Sequence, residues 1–280
     1  FPDLWFPHIA YPFKGRMRPQ VARSLINIVC PRRRGIILDP FCGSGTTNVE
    51  AYLCGLDSVG IDIIPFFVFM SEAKIRFFEE EIKSGLEGEE NHPIQRVVHS
   101  ACTMLKTKTV YENRMKEIRA LQRIYFNRFK NMIPKTKHEF KVGTATSIPY
   151  PDEYFDGIVC SPPYGSALDY EKENPGPKEL MEIPRELKRF IFLSKDETKW
   201  KELMLLAFRE MHRVLKSKGR LAIVIGNQKR SGRTVDYVGW SKRQLNLLGF
   251  KLLYQFTELI HSTGTRSILS DEILIFEKVS

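Results

Sequence analysis

The chain has 280 residues, 42% of them hydrophobic and 27% charged, with a formal net charge of +10. That length buries a full core without staples, and the composition excludes collagen-like, low-complexity and disordered classes. No run of 18 apolar residues and no basic segment followed by an apolar one is found, so neither a membrane span nor a signal peptide is expected.

Five cysteines (Cys30, Cys42, Cys54, Cys102 and Cys160) form no CxxC pair and have no histidine at metal-ligand spacing. Neither a metal site nor a disulfide framework is indicated, and a reducing cytoplasm is the expected location. The six histidines show no sequence partner, and a surface loop is expected for His261. Charge is unevenly spread: residues 1–35 and 92–142 are basic, whereas 36–91 are acidic. Clustered positive charge suits a polyanionic partner, although Lys and Arg also simply coat solvated helices.

Aromatics and prolines occupy residues 1–13, and Pro19 opens a helix carrying Val21, Leu25, Ile28 and Val29 at helical spacing. Ile36 to Asp39 reads as a buried strand. The turn Pro40-Phe41-Cys42-Gly43-Ser44-Gly45-Thr46-Thr47 follows and leads into a second helix. Glycines there let backbone approach a ligand closely, and the helix start offers unused N–H groups. The turn is neither a phosphate loop nor GxGxxG, so alone it is a weak signal. Ser58 to Asp62 is a second strand ending in an acid. Asp62 stands about 20 residues after the glycine turn, the spacing at which an acid at the end of strand two holds ribose hydroxyls. Capping the following helix is the plainer role for it.

Residues 66–83 read as a helix and 84–91 as a solvated loop. From Val110 to Ile133, Tyr111, Met115, Ile118, Leu121, Tyr125 and Phe129 keep helical spacing, while Arg114, Lys116, Arg119, Arg123, Arg128 and Lys130 take the remaining surface. Such a helix lies along phosphates or forms a solvated lid. Phe140 to Ala145 is a strand-to-turn segment. Phe155 to Cys160 is a buried strand ending in Ser161-Pro162-Pro163-Tyr164. Ligands of open α/β sheets bind outside the carboxyl ends of strands, which is where this loop falls. The prolines fix φ and donate no N–H, so a hydroxyl, a rigid Pro162 carbonyl and a ring face suit a flat substrate bearing an amino group. A rigid loop with a packed tyrosine is the alternative.

Residues 165–197 are polar and broken by Pro175, Gly176, Pro177 and Pro184, which suggests a substrate-facing excursion that orders on binding. A helix over Thr198–Leu215, a strand over Gly219–Gly226, a polar loop at 227–234 and a helix over Val238–Leu248 follow. Phe250–Glu258 and Glu272–Lys278 pair as a terminal hairpin. Strands alternating with helices imply a mostly parallel sheet.

Asp39 to Thr47 resembles the cofactor motif of S-adenosylmethionine-dependent amino-methyltransferases of nucleic-acid bases. Ser161 to Tyr164 resembles their catalytic [DNS]-P-P-[YFW] motif, and Arg18-Pro19 with its helix is similar to the Lys-Pro and helix that precede the cofactor motif in many of them. The resemblance covers roughly residues 14–75 and 140–278. It implies a Rossmann-like class I methyltransferase: one domain over 1–280 built on a mostly parallel seven-stranded sheet with a C-terminal antiparallel hairpin. An N-terminal segment (1–34), a basic helical insertion (92–138) and the 165–197 excursion complete it.

The resemblance further implies that Gly43 and Gly45, with Pro40 and Phe41, pass beneath the methionine part of S-adenosylmethionine. Asp39 orders the turn, Asp62 binds ribose, and Thr144 and Ala145 border adenine, Thr144 standing where the family usually has an acid. Ser161 and the Pro162 carbonyl, held beside Pro163, accept the amino hydrogens of an unpaired or flipped base, and Tyr164 stacks on it. No metal and no membrane are implied, and Cys160 is core. Serine as the first motif residue resembles cytosine-N4 enzymes. Neither insertion resembles an independent reader of duplex sequence, so structured RNA, with ribosomal RNA one candidate, is favoured over DNA as partner. A DNA cytosine-N4 or adenine-N6 enzyme, a small-molecule methyltransferase and a non-catalytic nucleic-acid-binding protein are the other readings. The oligomeric state is open, and a monomer is compatible with it.

Overall fold

The computed structural model describes residues 7–80, 92–104, 108–128, 130–132, 135–163, 170–191, 196–230, 233–259 and 270–279. Tyr164 and His261 lie outside them.

Nine strands are present among the described residues: β1 (Ile36–Asp39), β2 (Asp57–Asp62), β3 (His138–Val142), β4 (Phe155–Cys160), β5 (Leu215–Ile225), β6 (Gln228–Arg230), β7 (Arg233–Val235), β8 (Phe250–Leu259) and β9 (Ser270–Lys278). Seven make one sheet in the order β3-β2-β1-β4-β5-β9-β8. Pairings from β3 through β5 are parallel, whereas β9 runs antiparallel to both β5 and β8.

Strand order reverses at β1, which has β2 on one side and β4 on the other. The crevice outside the carboxyl ends of β1 and β4 is therefore the topological switch point where this architecture binds ligands.

Burial on both faces explains the unbroken apolar runs of the central strands. Leu38, Ile158, Leu221 and Ile223 enter the cluster formed by α8 (Glu197–Val214) and α9 (Tyr237–Leu247). Their alternates Ile37, Val159, Ala222 and Val224 enter the cluster under α1 (Pro19–Val29) and α2 (Thr46–Leu53). On that side α3 (Pro65–Glu79) carries a further layer, the hairpin α4 (Pro93–Met104) and α5 (Lys108–Arg128). The Gln122 side-chain amide donates to the carbonyls of Phe77 and Glu80 at 2.7 and 2.8 Å, and the Tyr52 and Tyr125 hydroxyls meet at 2.9 Å. Two short helices, α6 (Tyr170–Glu173) and α7 (Lys178–Met181), lie between β4 and α8. Among the described residues no helix is long and apolar enough to cross a membrane.

The structure corrects two expectations. Residues 227–234 are not a plain loop: β6 and β7 pair there as a hairpin whose polar strands carry no apolar alternation. β5 begins at Leu215, because the ladder with β4 shifts register between Phe155 and Gly157. α4 falls within the helical insertion expected over 92–138, and its Ile94, Val97, Val98 and Ala101 recur at helical spacing and are buried. Three histidines with no partner legible in the sequence are held within the fold. His8 is buried with Nε2 2.8 Å from Glu50 Oε1, and His92 is buried near the end of α3. His138 lies between the Ser58 and Thr136 hydroxyls, its pKa lowered to about 4 by burial.

Candidate functional site

β1 delivers Asp39 to the rim, and the chain turns at once. The turn closes on itself through the Gly45 N–H, which donates to the Cys42 carbonyl at 2.7 Å, and ties to β2 through the Cys42 N–H, which donates to Ile61 O at 2.9 Å. Gly43 (φ 50°) and Gly45 (φ 74°) both adopt left-handed backbone, which an L side chain disfavours.

Beneath the turn, α3 presents two polar side chains within an aromatic-rich helix. The Ser71 hydroxyl donates to Gly43 O at 3.1 Å, and the fully buried Lys74 Nζ donates to Ser44 O at 2.6 Å. Burial holds the Lys74 pKa well below the usual lysine range. With these carbonyls drawn down to α3, the turn lies firmly against the helix layer.

Asp62, at the end of β2, accepts the Gly43 N–H on Oδ2 at 2.9 Å and the Ile64 N–H on Oδ1 at 3.0 Å. It thus fixes the residue that precedes α3 and ties the glycine turn to the second strand. Each carboxylate oxygen keeps a second lone pair, so these bonds and binding a hydroxyl are compatible. Burial pushes its carboxyl up to about 6, against the backbone N–H groups of Ile64, Gly43 and Ile63 that favour the ionised form. Asp39 is more deeply buried and is pushed up to about 7, opposed by hydrogen bonds from Thr47 and the Phe41 N–H.

These elements wall a cleft of about 880 Å³, open to solvent. Asp39, Pro40, Phe41 and Gly43 line it from the turn, Asp62 from β2, Thr144 and Ala145 from the end of β3, and Ser161 and Pro163 from the end of β4. Gly45 and Pro162 do not. Gly45 instead faces Ser71 at the start of α2, and Pro162 is buried.

The cleft has a second wall, of which only the excursion's part was expected from the sequence. It comprises Phe13, Gly15, Arg16 and Met17 from the N-terminal segment and Ile183, Phe190 and Ile191 from the excursion. These two segments hold each other. The Tyr11 hydroxyl donates to Pro175 O at 2.6 Å, the Lys14 N–H donates to Asn174 Oδ1 at 2.7 Å, and Lys14 pairs with Glu173. Residues 170–191 thus pack against the N-terminal segment, while 165–169 and 192–195 of the excursion lie outside the described residues.

The donor set fits S-adenosylmethionine. Phe13, Phe41, Ile63 and Phe67 give the cleft an apolar lining, the Asp62 carboxylate can accept hydroxyls, and the Arg16 cation borders the same space. Among the described residues no three His, Cys, Asp or Glu side chains converge as a metal site.

Comparison with known proteins agrees with this geometry. The family model described as "RMKL-like, methyltransferase domain" matches residues 10–187. Over 76 residues the chain is 39% identical to the type II methyltransferase M.MjaII of Methanocaldococcus jannaschii, covering 26% of this chain and 13% of that protein. Over 58 residues it is 41% identical to the tRNA (guanine(10)-N2)-dimethyltransferase of the same organism, covering 20% of this chain and 16% of that one. The chain thus spans only a small part of these curated relatives. A solved Methanosarcina mazei structure titled as a SAM-dependent methyltransferase covers 88% of this chain and 93% of its own, at 17% identity and a TM-score of 0.47. The match over residues 10–187 takes in the glycine turn, Asp62 and the Ser161-Pro162-Pro163 loop, and on it the chain belongs to the RMKL-like methyltransferase domain family, with S-adenosylmethionine as its cofactor.

Proposed function

We propose that this protein methylates the exocyclic amino nitrogen of a nucleic-acid base, with cytosine N4 in structured RNA as the target. The observation that carries the reading is that Ser161 and Pro163, at the carboxyl end of β4, line the same cleft as the glycine turn and Asp62. An amino-bearing base at that loop lies within reach of a cofactor seated on the turn.

When bound, S-adenosylmethionine supplies an electrophilic methyl group. The chain's part is positioning. Asp62 accepts the ribose hydroxyls, Asp39 holds the turn, and Thr144 with Ala145 borders the adenine. The Ser161 hydroxyl and the Pro162 carbonyl accept the two amino hydrogens of the target base, which aims the nitrogen lone pair and draws positive charge from nitrogen as the new bond forms. Tyr164 stacks on the base, which suits an unpaired or flipped nucleotide.

RNA is favoured because the basic surface belongs to one long helix rather than to a separate reading domain. Lys116, Arg123 and Arg128 of α5 are exposed, and among the described residues these, Arg114 and Arg119 form no ion pair. Buried Arg119 Nε has no hydrogen-bond partner. Replacing Arg119 and Arg123 together by alanine is expected to lower the slope of log affinity against log salt by about 1 to 2, as phosphate contacts are lost. An unchanged slope in filter binding would make α5 an ordinary solvated helix.

A DNA amino-methyltransferase is the second reading, favoured by the similarity to a type II methyltransferase. The deciding experiment transfers labelled methyl to unmodified total RNA and unmethylated genomic DNA in parallel, then identifies the labelled nucleoside by mass spectrometry. N4-methylcytidine supports the first reading. Label confined to deoxynucleosides supports the second, and label on guanosine N2 would keep RNA but reject cytosine.

A further inference from the structure

A loop with two successive prolines has no N–H at either position with which to fasten itself to the fold. Ser161-Pro162-Pro163 is nevertheless held, through a carbonyl. The indole Nε1–H of Trp200 donates to Pro163 O at 2.8 Å.

Trp200 is an unusually well-fixed donor. It lies in the first turns of α8, whose N-cap Asp196 accepts the Thr198 N–H at 2.9 Å, and its side chain is fully buried. The rings of Tyr237 and Trp240 on α9 pack on it at centroid distances of 4.4 and 5.7 Å. A buried indole N–H demands a partner, and here that partner is the loop backbone. The restraint comes from the α8/α9 face of the sheet, opposite the α2–α3 layer that carries the cofactor turn.

We propose that Trp200 is a positioning residue for methyl transfer: its indole N–H sets the height and tilt of the Ser161-Pro162-Pro163 backbone over the cleft. The anchored carbonyl belongs to the peptide bond joining Pro163 to residue 164, so the anchor acts on both ends of the motif. With the Pro163 carbonyl engaged by Trp200, the Pro162 carbonyl is the acceptor that the proposed chemistry uses. This inference rests on the amino-methyltransferase reading above.

Trp200→Phe removes the donor and keeps most of the ring. Its kcat is expected to fall by about tenfold or more, since small misplacements of reacting groups are costly. KM for nucleic acid should change by less than about twofold, and calorimetric affinity for S-adenosylmethionine should be unaltered, because neither depends on the loop's fine geometry. Trp240→Phe trims the same aromatic cluster without touching Pro163 and should keep the wild-type kcat. Unchanged kcat in Trp200→Phe overturns the proposal, as do equal losses in the two variants or a parallel loss of cofactor affinity. In the wild-type protein, the 15N-labelled Trp200 indole N–H, assigned by elimination with Trp5→Phe and Trp240→Phe, should exchange with solvent far more slowly than an exposed indole. Fast exchange overturns the anchor even if Trp200→Phe does not fold. Absence of methyl transfer to any nucleic acid by the wild-type protein would reject the functional reading instead, and the exchange measurement would then still decide the anchor.

Discussion

Replacing Asp62 by alanine is expected to weaken S-adenosylmethionine binding by about 100-fold while leaving the protein folded. Hydrogen bonds to a charged acceptor contribute roughly 1.5 to 3 kcal/mol each, and two ribose hydroxyls at the low end give about 3 kcal/mol, or two decades of affinity. The variant also frees the Gly43 and Ile64 N–H groups that the carboxylate now holds at 2.9 and 3.0 Å, so the turn loses its tie to β2.

Titration calorimetry as a function of pH separates this role from a purely structural one. In the free protein the Asp62 carboxyl is raised to about 6, so wild-type affinity should rise between pH 5 and 7 as the carboxylate forms. Asp62→Ala should show no such rise. The stability of the cofactor-free protein has the opposite sign. Because the folded-state values of Asp62 (about 6) and Asp39 (about 7) lie above the ordinary 3.8, the folded form binds more protons than the unfolded one. That contribution is complete below about pH 4 and is lost as pH rises through 6 and 7. Wild-type affinity that is flat from pH 5 to 7 would remove Asp62 from the ribose site.

The second large effect is expected at Gly45, whose importance is structural. At φ 74° an added Cβ meets left-handed strain of roughly 1 to 2 kcal/mol. It would also stand 2.6 Å from the Ser71 hydroxyl and 2.9 Å from the Ser71 Cα, a backbone atom that α3 holds in place. Overpacking of that kind costs about 1 to 3 kcal/mol more. Gly45→Ala should therefore lose about 3 kcal/mol, a drop of about 5 °C in melting temperature for a domain of this size. Gly43→Ala is the matched control. Its φ is 50°, but its Cβ would find nothing closer than the Phe13 ring at 3.4 Å, so strain alone applies and the loss should be about 1 kcal/mol. Equal melting temperatures for the two variants would contradict the Ser71 contact as the cause.

Much of the site was legible because its parts are local. Asp39 and Asp62 each close a short apolar run, the two glycines mark a turn, and Ser161 follows a buried strand into prolines. Position along a strand and backbone punctuation are properties of neighbouring residues, so the sequence carries them directly. Gly45 was legible as a turn residue, whereas Ser71, which fills the space at its Cα, arrives from a different helix. Lys74 signalled itself only as a cation within the aromatic run Phe66 to Phe78. Trp200 read as one more apolar helix position.

From the amino-acid sequence alone came the α/β class, the pairing of a glycine turn with a distant acid, and the placing of Ser161-Pro162-Pro163-Tyr164 after a buried strand, all consequences of short-range chemistry. Tertiary structure decided what holds those pieces: Lys74 reaching Ser44 across 30 residues, Trp200 reaching Pro163 across 37, and Tyr11 reaching Pro175 across 164. Each is a buried donor whose carbonyl acceptor is chosen by how helices and loops stack on the sheet, and no spacing along the chain encodes that choice.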